Sequence, residues 1–212
     1  MEKTALLLGA TGMVGSHLLQ QLLESPHYSQ VIALVRRPLA TQHPKLRQEI
    51  LDFDDPDAAK IKGDDVFCAL GTTLAKAGSK EAQYRIDCIY PYEIGKIARQ
   101  NGARQYLLVS SLGADAQSSN FYLKTKGDLE ERIRSLDFEH FVSARPSILL
   151  GDRKEVRVGE RVGIVLARVF APVIPRRYRG IGAEKVARAL VFKANDDGKG
   201  MEVVESEALQ EF

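Results

Sequence analysis

The chain has 212 residues, and this length predicts one large domain rather than several. Hydrophobic residues make up 44% and charged residues 27% of the chain, as in ordinary globular proteins. The 30 basic and 28 acidic residues nearly cancel, so the net charge of +2 argues against a dedicated nucleic-acid binder.

Other classes of protein are excluded by what the sequence lacks. Two cysteines, Cys68 and Cys88, are too few for a disulfide framework or a structural zinc site, and the four histidines show no metal-ligand spacing. No stretch approaches the ~18 apolar residues of a membrane span, so no transmembrane segment is predicted. The N-terminus lacks the apolar core and cleavage site of a signal peptide, so we expect a cytoplasmic setting.

Short apolar runs alternate with longer helical patterns along the chain. Seven runs are predicted to be strands, at residues 5–8, 31–35, 49–53, 66–70, 106–109, 141–144 and 201–204. Four stretches have helical spacing, at residues 13–23, 82–100, 122–136 and 184–194, and the second of them is expected to bend at Pro91. This alternation predicts an α/β fold with a mostly parallel sheet.

A glycine motif follows the first predicted strand directly. It reads Gly-Ala-Thr-Gly-Met-Val-Gly from Gly9 to Gly15, and a helical pattern begins inside it, which is the context required for a dinucleotide-binding loop. Gly9 would permit a tight turn, Gly12 would let the backbone approach a pyrophosphate, and Gly15 would let helix and sheet pack closely. The alternative is a glycine-rich turn that binds nothing. The predicted cofactor contacts are Gly9, Thr11, Gly12, Met13, Val14 and Gly15.

The end of the second strand bears on the choice of cofactor. NAD enzymes usually place an acid ~20 residues past the glycines, where it binds the ribose 2′-hydroxyl. Arg36 and Arg37 stand there instead, and a guanidinium suits the 2′-phosphate of NADP. The sequence therefore favours NADP (NADPH) over NAD, with a pair of solvated surface arginines as the alternative.

Further segments resemble the extended and atypical short-chain dehydrogenase/reductases. Asp52-Phe53 looks like the pair along the adenine, and Leu70-Gly71-Thr72-Thr73 sits where the fourth-strand loop passes the cofactor. Arg145-Pro146 resembles the segment near the nicotinamide, from which Pro146 is expected to touch the cofactor. The strings Phe67–Gly78 and Ser118–Gly127 are similar to the family of the human HIV Tat-interacting protein and its bacterial relatives, an atypical NADPH-binding group.

This resemblance implies a single NAD(P)-binding domain over residues 1–212. Its fold would be α/β, a Rossmann-type doubly wound parallel sheet in strand order 3-2-1-4-5-6. A short C-terminal substrate-side cap is expected over about residues 151–182. Within it, residues 157–179 carry six arginines around the apolar run 162–170, which we expect to be buried against the sheet domain or a second subunit.

The resemblance also implies catalytic residues. Tyr122 and Lys126 match the family's Tyr-x-x-x-Lys and lie four apart, so they share one helix face. A nearby ammonium stabilises a phenolate, so Tyr122 could exchange a proton with a carbonyl oxygen while Lys126 also holds the nicotinamide ribose. Ser111 would hydrogen-bond that oxygen, since the family places the catalytic hydroxyl second in the pair Ser110-Ser111. Where many relatives carry a relay Asn, the nearest polar residue is Asp87. The alternative is an exposed Tyr/Lys pair without a catalytic role.

We therefore expect an NADP-dependent oxidoreductase that acts on a carbonyl or alcohol in a small-molecule substrate. Two other functions stay open: an NADPH-binding redox sensor or scaffold that turns nothing over, and a nucleotide-sugar-type epimerase or dehydratase. The sequence predicts no metal ligands and no nucleic-acid partner, and it leaves a homodimer or a protein partner open.

Overall fold

A computed structural model describes residues 3–150 and 175–212. The strands are β1 Lys3–Leu8, β2 Tyr28–Val35, β3 Leu46–Ile50, β4 Asp65–Cys68, β5 Gln105–Val109, β6 His140–Arg145, β7 Leu149–Leu150, β8 Ile181–Gly182 and β9 Gly200–Glu205. The helices are α1 Met13–Glu24, α2 Leu74–Ala77, α3 Lys80–Tyr84, α4 Tyr90–Gln100, α5 Phe121–Arg134, α6 Ala183–Lys193 and α7 Ser206–Leu209. A π-helical turn, Arg85–Ile89, joins α3 to α4, and two short 3-10 turns cover Ala58–Lys60 and Arg176–Tyr178.

Seven strands form one parallel sheet in the order β3-β2-β1-β4-β5-β6-β9. The predicted order of the first six strands is confirmed, and β9 extends the sheet beyond β6. Helices cover both faces of the sheet, as expected for a doubly wound fold. The α/β, Rossmann-type prediction is therefore confirmed.

The two faces of the sheet have separate hydrophobic cores. Along β1, Ala5 and Leu7 face the core shared with α1 and α6, whereas Leu6 and Leu8 face the core shared with α4 and α5. All four are fully buried, which explains why β1 reads as a continuous apolar run instead of an alternating one. The parallel strands end along one edge of the sheet, here called the carboxyl edge, and begin along the opposite amino edge.

The long helix predicted for residues 82–100 is interrupted. Pro91 stands in the first turn of α4 and has no N–H to donate to the carbonyl four residues before it. Just ahead of it, the Tyr90 N–H reaches the Arg85 carbonyl five residues back, which forms the π-helical turn. This turn buries Asp87 and Cys88 against the sheet.

Two other predictions differ from the structure or lie outside it. The third strand is Leu46–Ile50 rather than 49–53, because its pairing with β2 runs from Val31↔Leu46 to Val35↔Ile50. Most of the predicted cap and all of the apolar run 162–170 lie outside the described residues. Of the predicted cap, the structure describes residues 175–182. They include β8, in which Ile181 lies opposite Leu149 of β7, just before the cap.

Candidate functional site

The glycine loop closes against the carboxyl end of β4. Gly9 has a φ of +82°, and a Cβ there would lie 2.5 Å from the carbonyl carbon of Ala69. The Gly12 N–H donates to the Gly9 carbonyl at 2.9 Å, which closes the turn. A Cβ on Gly15 would overlap that same carbonyl oxygen, so α1 can pack this closely only with glycine.

The N-terminus of α1 faces the end of this loop. Gly12 is its N-cap and has no side chain to cap the first turn, and that turn contains no acidic residue. Free amide groups and the helix dipole therefore favour an anion here. Thr11 is exposed and Met13 half-buried, but the Val14 side chain lies in the core, so Val14 can offer a ligand only its backbone.

The ends of β2 and β3 present different kinds of side chain. Arg36 and Arg37 directly follow β2 and are exposed, and neither forms a hydrogen bond or ion pair with any residue that the structure describes. Past β3, Asp52 is exposed, whereas Phe53 is buried and packs on Tyr90 with ring centroids 5.6 Å apart. Of this pair, therefore, only Asp52 has a solvent-facing side chain.

The loop after β4 is anchored by the π-helical turn and by α3. Thr72 donates its N–H to Asp87 Oδ1 at 2.7 Å and accepts from Gln83 Nε2 at 3.3 Å. Thr73 caps α2 by accepting from the Lys76 N–H. Leu70 packs on the core, and Gly71 between these anchors is exposed.

Tyr122 and Lys126 extend from one face of α5. Asn120 caps this helix by accepting from the N–H groups of Tyr122 and Leu123. Tyr122 is 39% exposed and Lys126 only 4%, and the Lys126 Nζ lies 6.0 Å from the centre of the Tyr122 ring. Burial by itself would lower the pKa of Lys126, but the charges of Tyr122 and Asp87 outweigh it, and the pKa is raised.

The two adjacent serines at the end of β5 have different surroundings. Ser110 is buried and donates to Glu130 Oε1 on α5. Glu130 also accepts from Ser143 at 2.7 Å and pairs with Arg145 at 2.6 Å, so it ties α5 to β5 and β6. Ser111 is half-buried, and within the described part of the chain its hydroxyl donates one long hydrogen bond, 3.4 Å, to the neighbouring Leu112 carbonyl. The hydroxyl of Ser111 is thus the more available of the two.

The segment after β6 is bound to the segment after β5. Pro146 is buried, and its carbonyl accepts from the Leu112 N–H at 2.9 Å. The preceding Arg145 is held by Glu130 and by Glu205 on β9, so its guanidinium has a structural role. Pro146 therefore borders the same end of the sheet as Ser111.

Sequence reasoning missed Gln83 and Glu130 and named Asp87 only by position. Asp87 is fully buried, and its Oδ2 has no hydrogen-bond partner among the described residues. Burial raises the pKa of Asp87, although Lys126 and the Thr72 N–H lower it. Glu130 carried a usable signal, since it lies one helical turn after Lys126 on a buried face of α5. Within residues 3–150 and 175–212 no cluster of three metal-binding side chains occurs, and no helix could cross a membrane.

The site belongs to a protein class that binds nicotinamide nucleotides. A family model described as NAD(P)H-binding matches residues 9–166, so the chain belongs to that family. The match covers the glycine loop, the β4 loop and α5. Within this family the chain is an atypical short-chain dehydrogenase/reductase, as the resemblance in the sequence implied.

The chain is similar to two named proteins over most of its length. The protein HTATIP2 of Rattus norvegicus is 35% identical over 98% of this chain and 88% of its own length. The mitochondrial protein FMP52 of Candida albicans is 40% identical over 70% of this chain and 68% of its own length. Among solved structures, MoeE5 in complex with UDP-glucuronic acid and NAD superposes with a TM-score of 0.74 over 94% of this chain and 75% of that one. At 19% identity, this likeness shows the fold alone.

These relatives contradict the cytoplasmic setting expected from the N-terminus. FMP52 proteins from several fungi, at 32–40% identity, are named mitochondrial. The expectation was wrong because the lack of a secretory signal argues only against secretion and leaves other compartments open.

Proposed function

We propose that the chain is an NADP-dependent oxidoreductase acting on a carbonyl or alcohol. The observation that carries the proposal is the shared face of α5, on which the exposed Tyr122 ring stands 6.0 Å from the buried Lys126 ammonium. The segment after Ser111 packs on the first turn of this helix, since the Asp115 N–H donates to the Leu123 carbonyl at 3.2 Å. This contact connects the segment after Ser111 to the helix that carries Tyr122 and Lys126, which supports a shared site for the hydroxyl, the phenol and the ammonium.

The residues at this edge fit the cofactor. The uncapped N-terminus of α1 suits the pyrophosphate, and the glycine loop brings backbone close to it. Arg36 and Arg37, exposed at the end of β2, would pair with the 2′-phosphate and so favour NADP. Asp52, exposed past the end of β3, would border the adenosine, and the β4 loop and Pro146 would line the nicotinamide half. When bound, NADPH supplies a hydride.

The chain's own residues would manage the proton. Tyr122 would give its phenolic proton to the substrate oxygen as that oxygen gains negative charge, and would take it back in the reverse direction. Ser111 would donate a hydrogen bond to the same oxygen and fix its position. Lys126 would favour the deprotonated tyrosine after transfer and hold the nicotinamide ribose.

The test is NADPH oxidation, followed by its absorbance, with a panel of aldehydes and ketones. The Tyr122→Phe variant is the matched blank, because it removes one oxygen and keeps the ring. We expect consumption by the parent with part of the panel and none above background by the variant. Tight NADPH binding without turnover anywhere in the panel would favour the sensor or scaffold function. Cofactor that copurifies in one fixed redox state would favour an epimerase or dehydratase.

A further inference from the structure

Two buried charged side chains, Lys126 and Asp87, lie beside Gly71. A Cβ on Gly71 would lie 3.6 Å from Lys126 Nζ and 3.8 Å from each oxygen of Asp87. Lys126 is 4% exposed and Asp87 not at all. The ammonium and the carboxylate therefore flank one point where the chain carries no side chain.

Asp87 is only half satisfied by the protein. Its Oδ1 accepts the Thr72 N–H at 2.7 Å, whereas Oδ2 is buried with no hydrogen-bond partner among the described residues. An unsatisfied buried carboxylate oxygen is destabilising unless a positive charge compensates for it. The compensating charge nearest in this arrangement is Lys126, whose field lowers the pKa of Asp87 against the effect of burial.

We propose that Asp87 is a positioning residue of this site, which keeps Lys126 charged in its buried position and fixes the Gly71–Thr72 loop beside it. Its catalytic meaning rests on the proposed function, whereas the contacts themselves do not. The carboxylate acts in two separable ways. One oxygen anchors the loop and needs only to be an acceptor, while the negative charge stabilises the ammonium and needs the ionised acid.

The other titratable groups near Lys126 are Tyr122 on α5 itself, Cys68 on β4 and Cys88 on the π-helical turn. Tyr122 raises the pKa of Lys126 the most and Asp87 comes next, whereas the two thiols contribute less. Burial raises the pKa of both thiols, so both stay neutral around pH 7. Among the described residues that influence the pKa of Lys126, Asp87 is the carboxylate. The neutral side-chain amide of Gln83 on α3 lowers the pKa of Asp87 through hydrogen bonding.

The experiment follows the Lys126 titration by ¹³Cε NMR of labelled lysine, and the Lys126→Met variant identifies its signal. In the parent, the Lys126 signal should titrate above the range of an ordinary lysine, despite burial. In Asp87→Asn, which keeps an acceptor for the Thr72 N–H, its midpoint should fall by about one unit or more. Asp128→Asn is the control, since it removes a carboxylate of α5 that pairs with Lys124 and Tyr84, and it should leave the midpoint unchanged.

Loop anchoring is measured separately by hydrogen exchange at the Thr72 amide. Asp87→Asn should keep its protection, and Asp87→Ala should lose it by about tenfold or more. A parent in which Lys126 titrates below the ordinary lysine range would overturn the proposal, and this measurement needs no variant to fold. An unchanged midpoint in Asp87→Asn would overturn it too. Both readouts use protein without substrate, so a failure of turnover would count against the proposed function alone.

Discussion

Buried carboxylates have different hydrogen-bond partners at the two edges of the sheet. At the amino edge, Asp65 is 1% exposed and accepts from Lys3 Nζ at 2.9 Å and from the Tyr28 hydroxyl at 2.7 Å. Lys3 is satisfied further by the Ala194 carbonyl at 2.7 Å. At the carboxyl edge, Asp87 is equally buried, but one of its oxygens has no hydrogen-bond partner among the described residues, and Lys126 nearby does not pair with it directly.

The difference separates charges that are paired within the fold from charges at the proposed site. Burial raises the pKa of Asp65 and of Tyr28 at the amino edge, and local hydrogen bonds complete that cluster. The incomplete pairing at the carboxyl edge coincides with the glycine loop, an uncapped helix N-terminus and an exposed tyrosine. Among the described residues, His140 Nε2 and Asn195 Oδ1 at the amino edge also lack hydrogen-bond partners, so a missing partner alone does not distinguish the edges. A buried carboxylate with an unpartnered oxygen occurs at the carboxyl edge, the edge that fits a ligand.

The largest expected effect lies at the carboxyl edge. Tyr122→Phe should lower turnover by about 10²- to 10⁴-fold, the usual contribution of a general acid. Its NADPH affinity and thermal unfolding should match the parent, because the ring stays and the hydroxyl belongs to a half-exposed residue. Steady-state rates at saturating NADPH check this, and undiminished activity would show that Tyr122 is only a helix residue.

The amino edge should respond in stability instead. Asp65→Ala leaves the buried Tyr28 hydroxyl and the Lys3 ammonium without their shared acceptor, so we expect a loss of about 3 kcal/mol in the free energy of unfolding. Urea unfolding measures it. Glu139→Ala, which breaks the exposed pair with Arg104, is the control and should change stability little. If the two variants proved equally stable, the contrast between the edges would be lost.

The next largest expected effect concerns the preference for NADPH over NADH. Arg36→Ala should weaken NADPH binding roughly tenfold or more, since a charged hydrogen bond contributes ~1.5–3 kcal/mol, and should leave NADH binding unchanged. Fluorescence titration with both cofactors checks this. Arg47→Ala on β3, where the guanidinium pairs with Glu49, is the matched control. Equal affinity of the parent for NADPH and NADH would contradict the proposed preference.

The smallest expected effect distinguishes the two adjacent residues Ser110 and Ser111. Ser110→Ala removes a buried hydrogen bond to Glu130 and should destabilise the protein by about 1 kcal/mol while largely preserving turnover. Ser111→Ala should do the reverse, with lower turnover, little change in NADPH affinity and unchanged unfolding. Measuring both properties in both variants is decisive, and the opposite pattern would assign the catalytic hydroxyl to Ser110.

Local patterns determined much of this protein. The glycine spacing predicted the turn before α1, because only glycine fits the positive φ at Gly9 and the contact at Gly15. Continuous apolar runs predicted β1 and β2, since a strand covered on both faces needs apolar side chains at every position. Tyr122 and Lys126 share a face by helical spacing alone.

Only the tertiary structure decided which polar residues meet. Asp87 reaches Thr72 and the surroundings of Lys126 because a π-helical turn before Pro91 rotates it inward, and no sequence period encodes that rotation. Glu130 accepts a hydrogen bond from Ser110, which gives this serine a different role from Ser111, because β5, β6 and α5 converge there. Such partners lie far apart in sequence, so their pairing depends on how the chain packs, whereas the helices and strands depend on neighbouring residues.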